Sequence, residues 1–186
     1  MMSEEATRRR GRLMLIGLAV LFFGPLLFSW AYKQLGFDWH PAPKLSGVLI
    51  APPVELPLAG IAAWPTERWT LVVIGPCDAA CLKTLTDLRQ IVRSLPRYQD
   101  AMARVYVHGA GAALSAEQVR EQDGLVPIED TDARLLTALQ QSAAPDDTAF
   151  LMVDPRGFAM LRYRKDYDAR AARGDIEHLL RRFVPN

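Results

Sequence analysis

Two cysteines four positions apart are the side chains of this sequence best suited to chemistry: Cys77 and Cys81. On a helix, residues four apart share one face about a turn apart, so the two sulfur atoms can form a disulfide or hold one soft metal ion. Near a helix N-terminus, unpaired N–H groups and the helix dipole favour a thiolate and lower the pKa of the first cysteine. The pair therefore predicts thiol or metal chemistry, with two small buried helix residues as the alternative.

One of the three histidines, His108, is placed to act with this pair. It lies near the end of a predicted strand, and ligands of open α/β sheets gather beyond the carboxyl ends of strands. His108 could complete a metal site with Cys77 and Cys81 or act as a base for a thiol, and the alternative is an exposed strand-end residue. His178 is expected to be solvated on the polar side of the last helix, and His40 lies in a Pro-rich segment with no evident partner.

The cysteine pair lies where a predicted strand turns into a predicted helix. The run WTLVVIG (69–75) is rich in β-branched residues and ends at Gly-Pro, which is typical of a buried strand. Leucines and valines then recur at three- and four-residue spacing, which predicts an amphipathic helix over 78–95 that ends before Pro96. The run ARVYVHG (103–109) predicts a second strand. A strand–helix–strand unit implies two parallel strands joined by a right-handed crossover.

Further predicted elements complete an α/β domain. The pattern Ser-x-x-Gln predicts a capping box and a short helix over 115–122. The runs 148–154 and 158–164 predict two strands joined as a hairpin, because the Asp-Pro-Arg-Gly that connects them suits a type I turn. Two more helices are predicted over 131–142 and 175–184. The order strand, helix, strand, helices, hairpin, helix is that of the thioredoxin fold.

Composition excludes several classes of function. The chain has 186 residues, a mass of 20.7 kDa and a formal net charge of +1, so no basic field favours nucleic acid as a partner. Two cysteines are too few for a disulfide-stapled miniprotein or a structural four-ligand zinc site. The sequence shows no Ser-His-Asp set, paired carboxylate site or Gly-rich phosphate loop. A small globular domain with an unusual N-terminal segment remains.

The N-terminal segment is a run of twenty uncharged residues, 13–32. At a rise of about 1.5 Å per residue it spans ~30 Å, the thickness of a bilayer hydrocarbon core. Four arginines precede it and only Lys33 follows closely, so the positive-inside rule predicts an inner-membrane anchor with the domain in the periplasm. A cleavable signal peptide is the alternative, but such a peptide has a shorter apolar stretch and an A-x-A-like cleavage site.

Four segments are predicted along the chain. They are a cytoplasmic tail (1–12), a transmembrane helix (13–32), a Pro-rich linker with leading strands (33–68) and a thioredoxin-like domain (69–186). Six prolines exclude a helix from the linker, which is expected to be extended and to carry short strands such as GVLIAP.

An N-terminal anchor, a thioredoxin-like domain and C-x-x-x-C at its first helix together resemble the Sco/SenC proteins, copper chaperones of cytochrome c oxidase assembly. The resemblance covers about residues 46–184 and is sharpest at Cys77, Cys81 and the sequence FLMVDPRG. It implies a membrane-anchored factor for the copper site of the oxidase. Its implied partners are an oxidase subunit or other assembly factors, and its implied ligand is Cu(I), which Sco proteins bind through two cysteines and a histidine.

The sequence departs from the Sco pattern at the expected histidine. Counting back from the hairpin puts that position near Asp146, and a carboxylate is a poor ligand for Cu(I). Leu82 stands where Sco proteins carry proline after the second cysteine. Thioredoxin-type oxidoreductases have a cis-proline just before the same strand, whereas this chain has Asp147 and Thr148 there and Pro145 a few residues earlier. The first departure weakens the case for copper binding, and the last weakens the case for oxidoreduction.

The sequence therefore favours a periplasmic, Sco-like factor that acts by thiol–disulfide exchange. Cys77, nearer the helix start, is expected to be the attacking thiolate and Cys81 the resolving thiol, with the two joined as a disulfide at rest. The first alternative is a non-enzymatic Cu(I) carrier that uses both cysteines and His108. The second alternative is a docking factor whose disulfide only stabilises its loop.

Overall fold

The computed structural model describes residues 45–143 and 147–183, together with 14–15, 17–25, 28 and 30. The chain divides into two compact units, 1–44 and 45–186. In the first unit the described residues are helical, and the predicted cytoplasmic tail (1–12) lies outside them. No helix built from the described residues is long and apolar enough to cross a bilayer. The predicted transmembrane helix (13–32) is described only in part and stays a prediction.

The second unit alternates strands and helices. Its described residues form the strands β1 (Val48–Glu55), β2 (Trp69–Ile74), β3 (Met102–His108), β4 (Leu125–Glu129), β5 (Thr148–Val153) and β6 (Phe158–Arg164). They also form the helices α1 (Ala79–Arg93), α2 (Ala116–Glu121), α3 (Arg134–Ser142) and α4 (Ala169–Phe183), and a 3₁₀ helix (Pro96–Ala101). β2 and β3 are nearly continuous apolar runs because both faces of these central strands are covered.

The six strands form a sheet in the order β1-β6-β5-β2-β3-β4. β2, β3 and β4 are parallel, with Val72 of β2 opposite Val105 of β3. β5 runs antiparallel to β2, and β6 and β1 continue in antiparallel pairs. Because the carboxyl ends of parallel strands share one edge of a sheet, the segments that follow β2, β3 and β4 come to the same edge. We call these segments, 75–78, 109–115 and 130–133, the cysteine edge.

The sheet separates two apolar cores. One core includes residues of α1 and α4 and contains Leu85, Tyr106 and Ile176, each fully buried. The other includes residues of α3 and contains Val105 and Leu139. Tyr106 and Val105 are consecutive in β3 and reach opposite cores, as the two-residue period of a strand requires. Burial of each large apolar side chain stabilises the fold by about 1.5–3 kcal/mol, so α1 is held firmly on the sheet.

The strand–helix–strand unit and the hairpin predicted from the sequence are present. The capping box of α2 is confirmed, because Gln118 N–H donates to Ser115 Oγ (3.2 Å) and Ser115 N–H donates to Gln118 Oε1 (2.9 Å). The hairpin turn is closed by Gly157 N–H, which donates to Asp154 O (3.0 Å) as in a type I turn. Local sequence patterns were therefore sufficient for these elements.

The 3₁₀ helix (Pro96–Ala101) was not predicted, α3 begins three residues later than predicted, and α4 and β4 differ most. α4 begins at Ala169 rather than at 175, because Asp168 Oδ1 accepts a hydrogen bond from Ala171 N–H (2.8 Å) and caps the helix there. β4 is absent from the prediction, since Pro127 interrupts its short run. Proline is tolerated there because β4 is the last strand of the sheet and leaves one edge unpaired.

The Pro-rich segment supplies the strand at the other edge of the sheet. The strand expected at GVLIAP is present and continues to Glu55, where it pairs antiparallel with β6. Pro52 and Pro53 lie within it, which an edge strand also allows. Leu56 and Trp64, beyond β1, are buried in the core that includes α3.

The start of the second unit is attached to α4 through one carboxylate. Asp175 is 8% exposed, and its Oδ2 accepts hydrogen bonds from Ser46 N–H (2.7 Å), Ser46 Oγ–H (2.7 Å) and Gly47 N–H (3.1 Å). The hydroxyl of Tyr163 also donates to it (3.5 Å). Burial, and then the charge of Asp175, raise the pKa of Tyr163. We call Ser46, Gly47, Tyr163 and Asp175 the Asp175 anchor.

Candidate functional site

The segment between β2 and α1 carries the first cysteine. Gly75 N–H donates to Val107 O (3.0 Å), which extends the pairing of β2 with β3 by one residue. Gly75 has φ 90°, in the left-handed region that favours glycine, so the chain can turn away from the sheet there. Pro76 follows and has no N–H with which to continue the strand. These residues end β2 and bring Cys77 to the cysteine edge.

Cys77 and Cys81 are joined by a disulfide, with their Cα atoms 5.0 Å apart. The disulfide expected from the four-residue spacing is therefore present. Both cysteines are half-buried and pack against the core that α1 shares with α4. A disulfide that is only half-buried can be reached by a thiolate from outside, which is the first requirement for thiol–disulfide exchange.

Asp78 determines where α1 begins, a role that was not predicted from the sequence. Its Oδ1 accepts a hydrogen bond from Cys81 N–H (2.9 Å), which is the N-cap interaction. α1 therefore begins at Ala79, so that Cys77 precedes the cap and Cys81 is in the first helical turn. Leu82, where the Sco pattern has proline, donates its N–H to Asp78 O (3.0 Å). An Asp directly before an amphipathic run is the signal that predicts such a cap.

Tyr106 connects two segments of the cysteine edge through its hydroxyl group. This role, like that of Asp78, was not predicted from the sequence. Its ring is fully buried, and its Oη lies 2.8 Å from Gly75 O and 2.7 Å from Ala112 O. Burial raises the pKa of Tyr106, so the phenol stays protonated at neutral pH and can donate to either carbonyl. The tyrosine therefore connects the segment before Cys77 to the segment after β3. No local sequence pattern distinguishes it from an ordinary core tyrosine.

His108 ends β3 and is buried, so the alternative of an exposed strand-end residue is wrong. The residue is 4% exposed, and its Nδ1 lies 2.9 Å from Gly109 O. Its ring stacks on the ring of Tyr106, with the two centroids 5.1 Å apart. The two rings meet because alternate residues of a strand point to the same face of the sheet.

The described residues form no three-ligand site for a copper ion around the cysteines. Within residues 45–143 and 147–183, no group of three or more His, Cys, Asp and Glu side chains is arranged to hold a metal ion. The structure thus brings Cys77 and Cys81 together but does not join His108 to them in such a group. The sulfur atoms of a disulfide are not thiolates, so the pair can bind Cu(I) only after reduction.

The other residues considered from the sequence lie elsewhere. His178 is exposed on α4, as predicted. Asp147, at the position where thioredoxin-type oxidoreductases have proline, forms an ion pair with Arg164 (2.9 Å). Three further positions lie outside the described residues: His40, Pro145 and Asp146.

Solved structures similar to this chain include Sco proteins and a disulfide oxidoreductase. Apo Sco1 from Thermus thermophilus shares 16% sequence identity with a TM-score of 0.53, over 73% of this chain and 97% of that one. Yeast Sco1 with copper bound shares 14% identity with a TM-score of 0.49, over 64% of this chain and 80% of that one. A secreted disulfide oxidoreductase of Mycobacterium tuberculosis shares 12% identity with a TM-score of 0.42, over 61% of this chain and 83% of that one. No match is found among curated proteins.

The thioredoxin-like fold expected from the sequence is confirmed by these comparisons. A family model described as "Transmembrane-like, thioredoxin-like, C-terminal domain" matches residues 69–182. This segment extends from β2 into α4, and it contains the cysteine pair and the whole cysteine edge. The chain therefore belongs to this transmembrane-like, thioredoxin-like family and carries its C-terminal domain.

Proposed function

We propose that this protein exchanges disulfides with thiols of partner proteins through Cys77 and Cys81, as a Sco-like factor for the copper site of cytochrome c oxidase. One observation carries the proposal, namely the half-buried Cys77–Cys81 disulfide at the start of α1. The place of this disulfide, beyond the carboxyl end of a parallel strand, is where α/β folds bind and react with ligands. The role in oxidase assembly follows from the resemblance of the sequence to Sco/SenC proteins.

The proposed chemistry is a two-electron exchange. In the reduced protein, the Cys77 thiolate attacks a partner's disulfide, forms a mixed disulfide and expels one partner thiolate. Deprotonated Cys81 then attacks Cys77 Sγ, which releases the second partner thiolate and forms the Cys77–Cys81 disulfide. The partner gains the two electrons and two protons that this pair loses. A dithiol reductant in the same compartment must then reduce the pair again.

The local geometry supports this order of attack. Cys77 precedes the helix cap, whereas Cys81 is fixed in the first turn of α1 by the bond from its N–H to Asp78 (2.9 Å). The Cα separation of 5.0 Å keeps the two sulfur atoms within bonding reach. Attack by Cys81 on the mixed disulfide is intramolecular and therefore faster than attack by a second protein, because the reacting groups are already oriented.

Residues 13–32 are proposed to anchor this domain to the inner membrane, with the domain in the periplasm. The support is the uncharged run itself and the four arginines that precede it. A reporter that is active only in the periplasm should be active when fused after Asn186, and the isolated chain should retain its N-terminal residues. Recovery of a soluble chain that begins near Lys33 would contradict the anchor.

Cysteine variants test the exchange directly. The Cys81→Ser variant keeps the attacking sulfur but cannot resolve, so it should accumulate a mixed disulfide with a disulfide-containing peptide, seen as added mass that a reductant removes. The Cys77→Ser variant should trap at least about tenfold less, and the double variant should trap none. Greater trapping by Cys77→Ser would reverse the two roles. If neither single variant trapped the peptide, the exchange function would be rejected in favour of a docking factor with a structural disulfide.

Cu(I) carriage is the second candidate, because two cysteines with Cα atoms 5.0 Å apart can hold one soft ion once they are reduced. The test is titration of the reduced protein with Cu(I) against a chelator of known affinity. Since the described residues contain no three-ligand group, His108→Ala should leave the affinity unchanged. A loss of about tenfold, which corresponds to ~1.4 kcal/mol, would make His108 a ligand and copper delivery the main function.

A further inference from the structure

Asp78 lies between the two cysteines in the sequence, and its carboxylate caps the start of α1. Its Oδ1 accepts Cys81 N–H at 2.9 Å, and the residue is exposed. None of the ion pairs formed by the described residues includes Asp78, so no cationic side chain among them lies within 4 Å of its carboxylate oxygens. An uncompensated negative charge therefore lies at the same helix start as the two sulfur atoms.

This carboxylate opposes a thiolate in two ways. A thiolate just before a helix is stabilised by the unpaired N–H groups of the first turn and by the positive end of the helix dipole. Here Cys81 N–H, one of those donors, is already bonded to Asp78. The negative carboxylate also disfavours a second negative charge formed beside it. Neither effect acts on the disulfide, because its sulfur atoms carry no charge.

We propose that Asp78 is a positioning residue that lowers the reduction potential of the Cys77–Cys81 pair, so that this chain gives electrons to its partner. The proposal rests on the exchange function and adds to it a residue of this chain that accounts for the direction of electron flow. A pair whose reduced form is stabilised by its surroundings is a strong oxidant. Asp78 does the opposite, since it destabilises the reduced form, and therefore favours reduction of a partner's disulfide to two thiols.

Two substitutions separate the charge of Asp78 from its role as a cap. Asp78→Asn removes the charge but keeps a capping oxygen, because Asn and Asp are about equally good N-caps. Asp78→Glu keeps the charge but is a poorer cap. Asp168→Asn is the matched control, because the exposed Asp168 caps α4 by accepting Ala171 N–H (2.8 Å).

The potential of each variant is measured by equilibrating the full chain with glutathione buffers of known ratio and counting alkylated thiols by mass spectrometry. In Asp78→Asn the equilibrium should shift about tenfold toward the dithiol, a rise of about 30 mV in potential. Asp78→Glu and Asp168→Asn should stay near the wild-type value. The difference between wild type and Asp78→Asn should shrink in 1 M salt, where charges are screened beyond about 3 Å.

An unchanged or lower potential in Asp78→Asn would overturn the proposal. An equal rise in Asp168→Asn would also overturn it, because the effect would then be one of net charge alone. The measurement requires no partner protein, so it separates this inference from the proposed function. If peptide trapping failed while Asp78→Asn still raised the potential, the exchange function would be rejected and the effect of Asp78 on the pair would stand.

Discussion

Two aspartates of this domain accept main-chain N–H groups, yet their surroundings give them different roles. Asp175 is 8% exposed and binds three donors from Ser46 and Gly47, more than a hundred positions away in the sequence. Asp78 is exposed and binds one donor, Cys81 N–H, three positions away. Loss of Asp175 would leave two buried donors, Gly47 N–H and the hydroxyl of Tyr163, without an acceptor, whereas Cys81 N–H beside the exposed Asp78 can bond to water instead. Because Asp175 is buried, its hydrogen bonds stabilise the fold. The role proposed for the exposed Asp78 is instead to change the reduction potential of the cysteine pair.

Removal of the buried carboxylate should give the largest loss of stability. In Asp175→Ala, the N–H groups of Ser46 and Gly47 and the hydroxyl of Tyr163 lose their acceptor, so the free energy of unfolding should fall by about 3 kcal/mol. Urea denaturation followed by far-UV circular dichroism measures this change.

The same variant also tests whether the two regions are independent. The glutathione equilibrium of the folded Asp175→Ala protein should match that of wild type, because Asp175 contacts residues of the Asp175 anchor rather than the cysteines. Asp123→Ala is the control for removal of a carboxylate, since Asp123 forms an exposed ion pair with Arg93 and should cost at most about 1 kcal/mol. If Asp175→Ala and Asp123→Ala lowered the free energy of unfolding equally, the buried Asp175 would be no more important for stability than an exposed aspartate.

Alkaline pH should weaken the Asp175 anchor. Burial and the charge of Asp175 raise the pKa of Tyr163, and burial and a hydrogen bond to Asp87 raise the pKa of Tyr167. A tyrosine with a raised pKa in the folded state contributes its full stability below the unfolded-state pKa of about 10, and this contribution is lost as the pH rises above it. The free energy of unfolding should therefore fall above about pH 10.

The variant Tyr163→Phe separates the contribution of Tyr163 to this alkaline loss of stability from that of other groups that titrate in the same pH range. Arg104 acts in the opposite sense, because burial and the neighbouring Arg89 lower its pKa to about 10 and its deprotonation then favours the folded state. Tyr163→Phe should show a smaller loss of stability between about pH 9 and 11 than wild type. Parallel curves for the two proteins would show that Tyr163 does not contribute to the alkaline loss.

The part of the cysteine edge that carries Cys77 could be predicted from the sequence because its signals are local, whereas the segment after β4 could not, since β4 itself was not predicted. A β-branched run that ends at Gly-Pro, two cysteines at helical spacing and an amphipathic helix lie within 69–95. The Asp175 anchor could not be predicted in this way, since Ser46 and Asp175 are 129 positions apart and meet only through the tertiary fold. Within a single sequence, nothing marks an Asp of the last helix as the acceptor for a segment before the first strand.

Within the site itself, residue types were easier to predict than their environments. The disulfide was predicted from the spacing of the cysteines together with the oxidising compartment expected for the domain, and the cap at Asp78 could have been predicted from its place before the helix. The burial of His108 could not, because it depends on tertiary structure: its ring stacks on Tyr106, two residues earlier on the same face, and β3 is an inner strand between β2 and β4. A histidine at the end of a strand is expected to be exposed from its sequence position alone, and it is tertiary packing that buries His108.

A smaller effect is expected from the phenol that joins two segments of the cysteine edge. Tyr106→Phe keeps the ring but removes the hydroxyl within reach of Gly75 O and Ala112 O, so it should cost about 1 kcal/mol of stability. It should also change the rate of peptide trapping by the Cys81→Ser variant, since the segment before Cys77 loses a contact. Tyr167→Phe is the control, because it loses a comparable bond, to Asp87 Oδ2 (3.0 Å), in the second half of α1. A change in trapping rate that is as large in the control would argue against a specific role for Tyr106.

The smallest loss of stability is expected for Asp78→Asn, and at this position the contrast with Asp175 is sharpest. Asp78→Ala removes an exposed N-cap and should lower the free energy of unfolding of the oxidised protein by about 1 kcal/mol, whereas Asp78→Asn should change it by only a few tenths. The reduction potential should not follow this difference in stability. Asp78→Ala and Asp78→Asn both lack the negative charge, so both should raise the potential. Urea denaturation and glutathione titration of the same two variants therefore test separate properties of one side chain. If the potential followed the stability, with Asn equal to wild type and only Ala shifted, the cap rather than the charge would control the cysteine pair.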